Sequence, residues 1–417
     1  MSIDKNTQIK NKIIETRLKR QTQKCRVFEL KINKRKMNKE QYKNINFLFV
    51  QCKWLYNYLL SLSEEELFKF DTKTKIIYSI DKNGNKIQRE LTIPSQIKQT
   101  VYGTLCNNIK SLSQLKKKNK KIGRLKFKSN YNSIDLKQYG ISHKIMPSNR
   151  IRITGMGVFK VHGLEQIKSD FELANAKLIK KPSGYYLNIT TYENLKLQQV
   201  NNLPTNKLDV GLDFGIKTNI TTSDEEKFDV YIEEPERLKN LQRKLARQIK
   251  NSNNYKRTQH KIQIEYEKMS NKKKNEVNQL TSYLCTKYSH VYIQDEMIKA
   301  WHRRFGRIVQ HSYMGQLKAK LKGQNNVTVI DKSYPTTKLC YNCGQLHKDI
   351  TLSDREFICP SCGFKEDRDI KAAKTVMFIG QCKNNYSVTE HNRLSNVEKM
   401  SDFLDAYATR KHSSMKH

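Results

Sequence analysis

Apolar residues recur along this chain with two different periods, and the change of period marks its elements. In residues 25–32, CRVFELKI, apolar and polar side chains alternate, which predicts a half-buried strand. From residue 39 to 62, Tyr42, Ile45, Phe49, Cys52, Leu55, Tyr56 and Leu59 fall at helical spacing. A β-rich interruption with a hairpin turn at DKNGNK (81–86) precedes a second helix over residues 93–112, with Pro94 at its start and Ser95 as its cap. Between residues 134 and 192 the period returns to two, broken by a Pro-Ser-Gly turn. Basic side chains line these strands at Arg150, Arg152, Lys160, Lys177, Lys180 and Lys181. The polar stretch 193–207 reads as a linker, and the main domain boundary is expected there.

Beyond it the pattern changes. KLDVGLDFGIKTNITTSD (207–224) is an apolar strand, a Gly turn and a second strand, with a third over 227–232. Residues 236–250 predict a helix with Leu238, Leu241, Leu245 and Ile249 inward, and a longer helix runs from about 255 to 288. HVYIQDEM (290–297) and NNVTVI (325–330) read as strands, and a last helix starts at Ile370.

Charge then narrows the class of partner. The 417 residues carry 79 Lys+Arg against 40 Asp+Glu, a net charge of +39. Such an excess repels itself unless a polyanion neutralises it, and nucleic acid is the expected partner. No long apolar run or amphipathic anchor supports a membrane, and residues 1–24 are polar and basic without a signal core, so a cytoplasmic, nucleoid-associated protein is expected. Those first residues read as a mobile arm that orders on a partner. KKKNKKIGRLKFK (116–128) holds eight basic residues and no acid, and its alternating RLKFK end predicts a phosphate-contacting strand presenting Lys126 and Lys128. Arg243, Lys244 and Arg247 on the 236–250 helix are further candidates for nucleic-acid contact.

Nine cysteines without an export signal favour metal binding over disulfides. Cys340-x-x-Cys343 and Cys359-x-x-Cys362, each followed by Gly, form two knuckles that complete a four-thiolate zinc site. A closed thiolate shell has no open position, so this zinc is expected to be structural. His347 reads as an ordinary surface-loop histidine, and a place as an alternative ligand is the other reading open to it.

Acids stand where the pattern does not call for them. Asp213 interrupts the apolar strand DVGLDFG, with Gly211 and Gly215 read as room for a substrate backbone. Asp295 and Glu296 close a strand. Glu366, Asp367 and Asp369 precede or open the last helix, where the helix dipole alone favours negative charge. Carboxylates from separate elements are what paired divalent ions need for phosphodiester hydrolysis. DFG does not signal a kinase, because no His-Arg-Asp loop or Gly-rich phosphate loop precedes it.

In order, GLDFGIKTNIT, a basic helix followed by SNN, a strand ending in acids, YPTTKLCYNCG, CPSCGF and DRDIKAAK resemble the nuclease half of the TnpB family of transposon-encoded RNA-guided nucleases, relatives of the miniature type V CRISPR effectors. CKWLYNYLL, IPSQIKQTVYGTL and GRLKFKS resemble its N-terminal half more loosely, so the likeness spans residues 25–380. It implies an α/β fold: an RNase H-like (RuvC) nuclease domain with an inserted zinc ribbon, plus an N-terminal β-barrel wedge with a helical recognition insert. The implied divisions are basic arm and first wedge strand 1–38, recognition insert 39–125, wedge strands 126–200, nuclease 207–334, ribbon 335–365, nuclease last helix 366–382 and polar tail 383–417.

The resemblance further implies a guide RNA, a target double-stranded DNA with a short flanking motif, two Mg²⁺ ions, and a monomer or homodimer on the RNA. By position it assigns Asp213 as the first acid and Asp369 as the last. The middle acid is Glu296, with Asp295 in reserve, because many relatives carry Glu where this chain has Gln294, and residues 294 and 296 of one strand share a face. Lys371 stands where the family pattern has Asn, so a hydrogen bond to the site is expected to be missing. The alternative class is an RNA-guided DNA-binding repressor with weak or no cleavage; a strand transferase has no Tyr or Ser nucleophile motif behind it.

Overall fold

The computed structural model describes residues 5–80, 85–194, 208–347 and 354–383. The chain forms two compact units that divide after Asn201, inside the polar stretch 193–207.

The first unit opens on helix α1 (Lys5–Gln21), where the sequence led us to expect a mobile arm. Ile13, Ile14 and Leu18 lie exposed on it, and Lys19 and Arg20 pair with Glu172 at 2.8 and 2.7 Å. Strand β1 (Gln23–Ile32) leads to helix α2 (Lys39–Ser61), whose start is fixed by a reciprocal capping box between Asn38 and Gln41. A short α3 (Glu64–Phe68), the hairpin β2 (Ile76–Ile80) and β3 (Lys86–Glu90), and helix α4 (Ser95–Lys117) follow. The centre of the predicted 81–86 turn lies outside the described residues. Ser95 does not cap α4: it is the first helical residue, Pro94 is the cap position, and the carbonyl of Pro94 accepts from the amides of Ile97 and Lys98.

Strands β4 (Ser133–Leu136), β5 (His143–Met146), β6 (Arg150–Ile153), β7 (Gly157–His162), β8 (Glu172–Lys181) and β9 (Gly184–Asn194) complete an antiparallel sheet of order β4-β8-β9-β1-β7-β6-β5. This sheet is barrel-like and nearly closed. Its inward residues, among them Leu30, Ile32, Ile151, Phe159, Leu178 and Leu187, form one core with Ile45, Leu48, Phe49 and Leu55 of α2 and Ile97, Val101 and Leu105 of α4. RLKFK is not a strand; residues 121–132 run as an irregular segment between α4 and β4.

The second unit is built on a mixed sheet of order β12-β11-β10-β13-β14. Its strands are β10 (Val210–Phe214), β11 (Ile220–Thr222), β12 (Lys227–Phe228), β13 (Val291–Gln294) and β14 (Val327–Ile330). β10 pairs antiparallel with β11 and parallel with β13, which pairs parallel with β14. Helix α5 (Glu236–Ala246) is shorter than its sequence period suggests, whereas α6 (Asn253–Lys287) runs 35 residues from a Ser252 cap. Helices α7 (His302–His311) and α8 (Met314–Leu321) precede β14. After the cysteine segment, with its small pair β15 (Glu356–Ile358) and β16 (Lys365–Asp367), helix α9 (Arg368–Lys383) packs against β10, β13 and β14.

Two glycines set how closely α9 approaches. A Cβ on Gly211 would run into the Ala373 carbonyl and the Met377 backbone, and one on Gly380 would enter the Tyr292 ring. The space beside Gly211 is therefore filled by α9, and that beside Gly215 by the Thr218 carbonyl, rather than left for a substrate. The polar tail expected at 383–417 lies, past Lys383, outside the described residues.

Candidate active site and metal centre

Asp213 is the one half-buried residue of β10, between buried Leu212 and Phe214 on the central strand. Burial pushes its carboxyl up to about 8, and the nearby negative charges of Asp369 and Glu296 push the same way, against Arg368 and Lys371. The three acids assigned by resemblance thus share one electrostatic neighbourhood. Asp369 sits in the first turn of α9 with the Arg368 guanidinium 3.2 Å from its carboxylate.

Glu296 reaches this neighbourhood by a different route from the one its sequence pattern suggests. β13 ends at Gln294, so Glu296 lies on a bend and the period-two argument does not apply to it. Its carboxyl is raised by burial, with Asp295 adding to the effect and Lys318 opposing it. Asp295 instead forms ion pairs with Lys318 at 2.8 Å and Lys322 at 2.7 Å, which hold it below the usual carboxylate range. Gln294 turns away, with its amide nitrogen donating to the carbonyls of Asp331 (3.2 Å) and Tyr334 (2.8 Å).

The other two acids of the last segment have their own tasks. Asp367 is the helix cap, accepting from the amides of Asp369 (2.9 Å) and Ile370 (3.1 Å). Glu366 belongs to β16 rather than to the helix start; it accepts from the Tyr341 hydroxyl at 3.0 Å and pairs with Lys374.

The cysteines form a second centre. All four Sγ atoms lie within 4.8 Å of one another, and among the described residues they are the group of three or more such side chains this close. Sγ separations of 3.9 Å (Cys340–Cys362) and 3.6 Å (Cys343–Cys359) match the edge of a tetrahedron with zinc–sulfur bonds of about 2.3 Å. Each knuckle turns through a left-handed glycine, Gly344 at φ 74° and Gly363 at φ 71°, whose amide donates back to the first Cys carbonyl. His347 is no bystander: its Nε2 lies 3.1 Å from the Cys359 sulfur, where an N–H would donate to a thiolate.

Lys371, which the sequence leads one to read as a missing hydrogen bond, is fully buried and faces the cysteine segment. Its ammonium donates to the carbonyls of Thr336 (2.9 Å), Thr337 (2.7 Å) and Leu339 (2.9 Å) and lies 4.0 Å from the Phe357 ring centre. Burial lowers its proton affinity to about 7, opposed by Cys340 and Asp213. No sequence period reveals these links; an out-of-pattern Lys beside two alanines in an apolar helix was their one signal.

The nucleic-acid candidates differ in setting. Lys126 is exposed on the irregular segment. Lys128 lies over the rings of Tyr56 and Tyr131 at 4.0 and 4.5 Å, and its backbone is held by Asn57. On α5, Arg243 contacts Asn240 and Glu236, while Lys244 and, just past the helix, Arg247 are exposed. No helix among the described residues is long and apolar enough to cross a membrane.

Residues 192–301 match a family model described as "Probable transposase", and residues 311–376 match one described as "Cas12f1-like, TNB domain". A Streptomyces pristinaespiralis protein named "Putative RNA-guided DNA endonuclease" is 27% identical over 187 residues, 42% of this chain and 46% of that protein. The Escherichia coli (strain K12) protein "Putative RNA-guided DNA endonuclease InsQ" is 24% identical over 196 residues, 41% of this chain and 48% of that one. The chain therefore spans about half the length of the curated relatives it matches. Its similarity is to the TnpB-like family and to the Cas12f1-like zinc domain.

Proposed function

We propose, from this TnpB-like second unit, that the protein is an RNA-guided DNA endonuclease with one RuvC-like site. The observation that carries the reading is the state of Asp213. Burial on the central strand pushes its carboxyl up to about 8, and Asp369 at the start of α9 and Glu296 after β13 lie near enough for their charges to push the same way. Mutual repulsion in a protein-lined site is what a hard divalent cation relieves, so the donor set fits Mg²⁺. Two such ions, when bound, would activate water and stabilise the leaving oxygen. Asp213, Glu296 and Asp369 would hold them, with Arg368 steadying Asp369. The mixed sheet with α9 against it supports the RNase H-like assignment, and the four-thiol cluster supports a structural zinc. The nearly closed first-unit sheet supports a wedge formed around 126–200 with a helical insert over 39–125.

The names of the relatives support a guide RNA and a DNA target, and the +39 charge supplies the means to hold them. Gln294 and Lys371, the departures that favoured a non-cutting repressor, spend their hydrogen bonds on backbone carbonyls of residues 331–339, so they do not weigh for it.

The test is cleavage of a guide-matched plasmid in Mg²⁺ by the full chain with its copurifying RNA. Asp213→Ala and Asp369→Ala are expected to bind target without cutting it. Binding by wild type without cutting would favour the repressor; cutting by either variant would remove the assigned site.

A further inference from the structure

The segment 331–340 enters the first knuckle without a strand or long helix of its own, so its backbone carbonyls need other donors. Turn amides supply some, as where the Tyr334 carbonyl accepts from the Thr336 amide at 2.9 Å, and two buried side chains supply others. Gln294, 3% exposed, donates to the carbonyls of Asp331 and Tyr334, and its Oε1 accepts from the Thr336 hydroxyl at 2.9 Å. Lys371 spends all three ammonium hydrogens on the carbonyls of Thr336, Thr337 and Leu339. Thr336, 4% exposed, is bound to both: by its hydroxyl to Gln294 and by its carbonyl to Lys371.

What these bonds join matters more than their number. Gln294 ends β13, two residues before Glu296, and Lys371 lies two residues beyond Asp369 on α9. The far end of the bonded segment is Cys340, a thiol of the four-cysteine cluster. One short strap therefore touches the elements carrying the middle and last acids, and ends on the metal centre. Both anchors are also the positions where this chain departs from the pattern of its family resemblance. A neutral amide with donor and acceptor ends and a long three-donor cation are the side chains this strap requires.

We infer that Gln294, Thr336 and Lys371 form a buried clamp through which the metal-filled ribbon sets the spacing of Glu296 and Asp369. The three are positioning residues; none touches the reacting atoms. The catalytic half of this inference rests on the nuclease reading above, and the metal half does not.

The test uses the full chain with its copurifying RNA and three readouts: zinc release to a competing chelator, hydrogen exchange over 334–340 and 366–372, and the Mg²⁺ concentration for half-maximal cleavage. Lys371→Met keeps the stem on Phe357 and removes the donors. Thr336→Val removes the hydroxyl while keeping the carbonyl that Lys371 uses, a milder change expected to fold. Lys371→Met is expected to weaken zinc retention about 10–100-fold, the usual cost of losing a supporting shell around a metal. Thr336→Val is expected to raise the Mg²⁺ requirement while leaving the rate at saturating Mg²⁺ close to wild type. Gln294→Met combined with Lys371→Met should cost less than the sum of the two, because both act through Thr336.

Wild-type zinc release and exchange in both Lys371→Met and Thr336→Val would overturn the clamp, as would strict additivity of the double variant. If wild type does not cleave DNA at all, the nuclease reading falls, and zinc release with exchange still decides the clamp.

Discussion

His143 shows what a single residue can commit a fold to. It opens β5 with its ring fully out of solvent, and its Nδ1 lies 3.2 Å from the Ser142 hydroxyl. That hydroxyl already donates to the Gln138 carbonyl, so the ring donates through Nδ1 and Nε2 is left as a buried lone pair. A proton there would find no acceptor, and burial draws the pKa down to about 4. Between about 4 and the unfolded value near 6.5 the unfolded chain binds more protons, so stability rises with pH through that window. The full contribution is present above the unfolded pKa, and up to about 3 kcal/mol of it is lost as pH falls through the folded one. Unfolding of wild type and His143→Leu at pH 7.5 and 5.0 checks this. Wild type should lose more than the variant on acidification, and equal losses would show that the ring does not titrate in this way.

Elements were legible where their period was long and their apolar face buried. α2, α4 and α6 announced themselves because Ile45, Val101, Leu284 and their neighbours repeat toward a core. α1 was missed because its apolar residues are sparse and end up exposed, so no core selects them. The end of β13 was missed for a different reason: VYIQDE keeps a strand's composition while the chain bends after Gln294. Of the proposed acids, Asp213 stood out because it interrupts an apolar strand, whereas Asp369 opens a helix whose first turn favours negative charge anyway, so only the family resemblance singled it out. The clamp was not, since Gln294 and Lys371 meet through Thr336 across 77 residues of chain, and no local period encodes such a meeting.

The approach of α9 to the sheet carries its own expectation. The clashes at Gly211 are with backbone, which cannot swing aside, so Gly211→Ala must displace the helix that bears Asp369. It is expected to cost about 1–3 kcal/mol and to lower cleavage by up to about 10²-fold, as for a misplaced catalytic group. Gly315→Ala on α8, whose added Cβ meets nothing within 4 Å, is the control and should be neutral or slightly stabilising. Equal behaviour of the two variants in thermal unfolding and plasmid cleavage would separate the acid site from the packing of α9.

At the scale of the whole molecule, the net charge of +39 fixes how binding should respond to salt. Each phosphate neutralised by Lys or Arg releases condensed counterions, with a log–log slope of about −0.7 per contact on single strands and −0.9 on duplex. A protein making about six to ten such contacts loses roughly 10³–10⁵ in affinity between 50 and 200 mM salt. Under the proposed nucleic-acid role, the settings of the basic residues rank which side chains would carry that slope. Lys244 and Arg247 are exposed, whereas Lys128 is drawn over two tyrosine rings and lies below its ordinary pKa through burial. Lys244→Ala with Arg247→Ala is therefore expected to shallow the salt slope for RNA by about 1.4, two contacts' worth. Lys128→Ala should leave the slope nearly unchanged and lower the melting temperature instead, since what it removes is contact with Tyr56 and Tyr131. Filter binding across a salt series distinguishes the two, and a slope that falls with Lys128 but not with the α5 pair would move the nucleic-acid surface to the segment before β4.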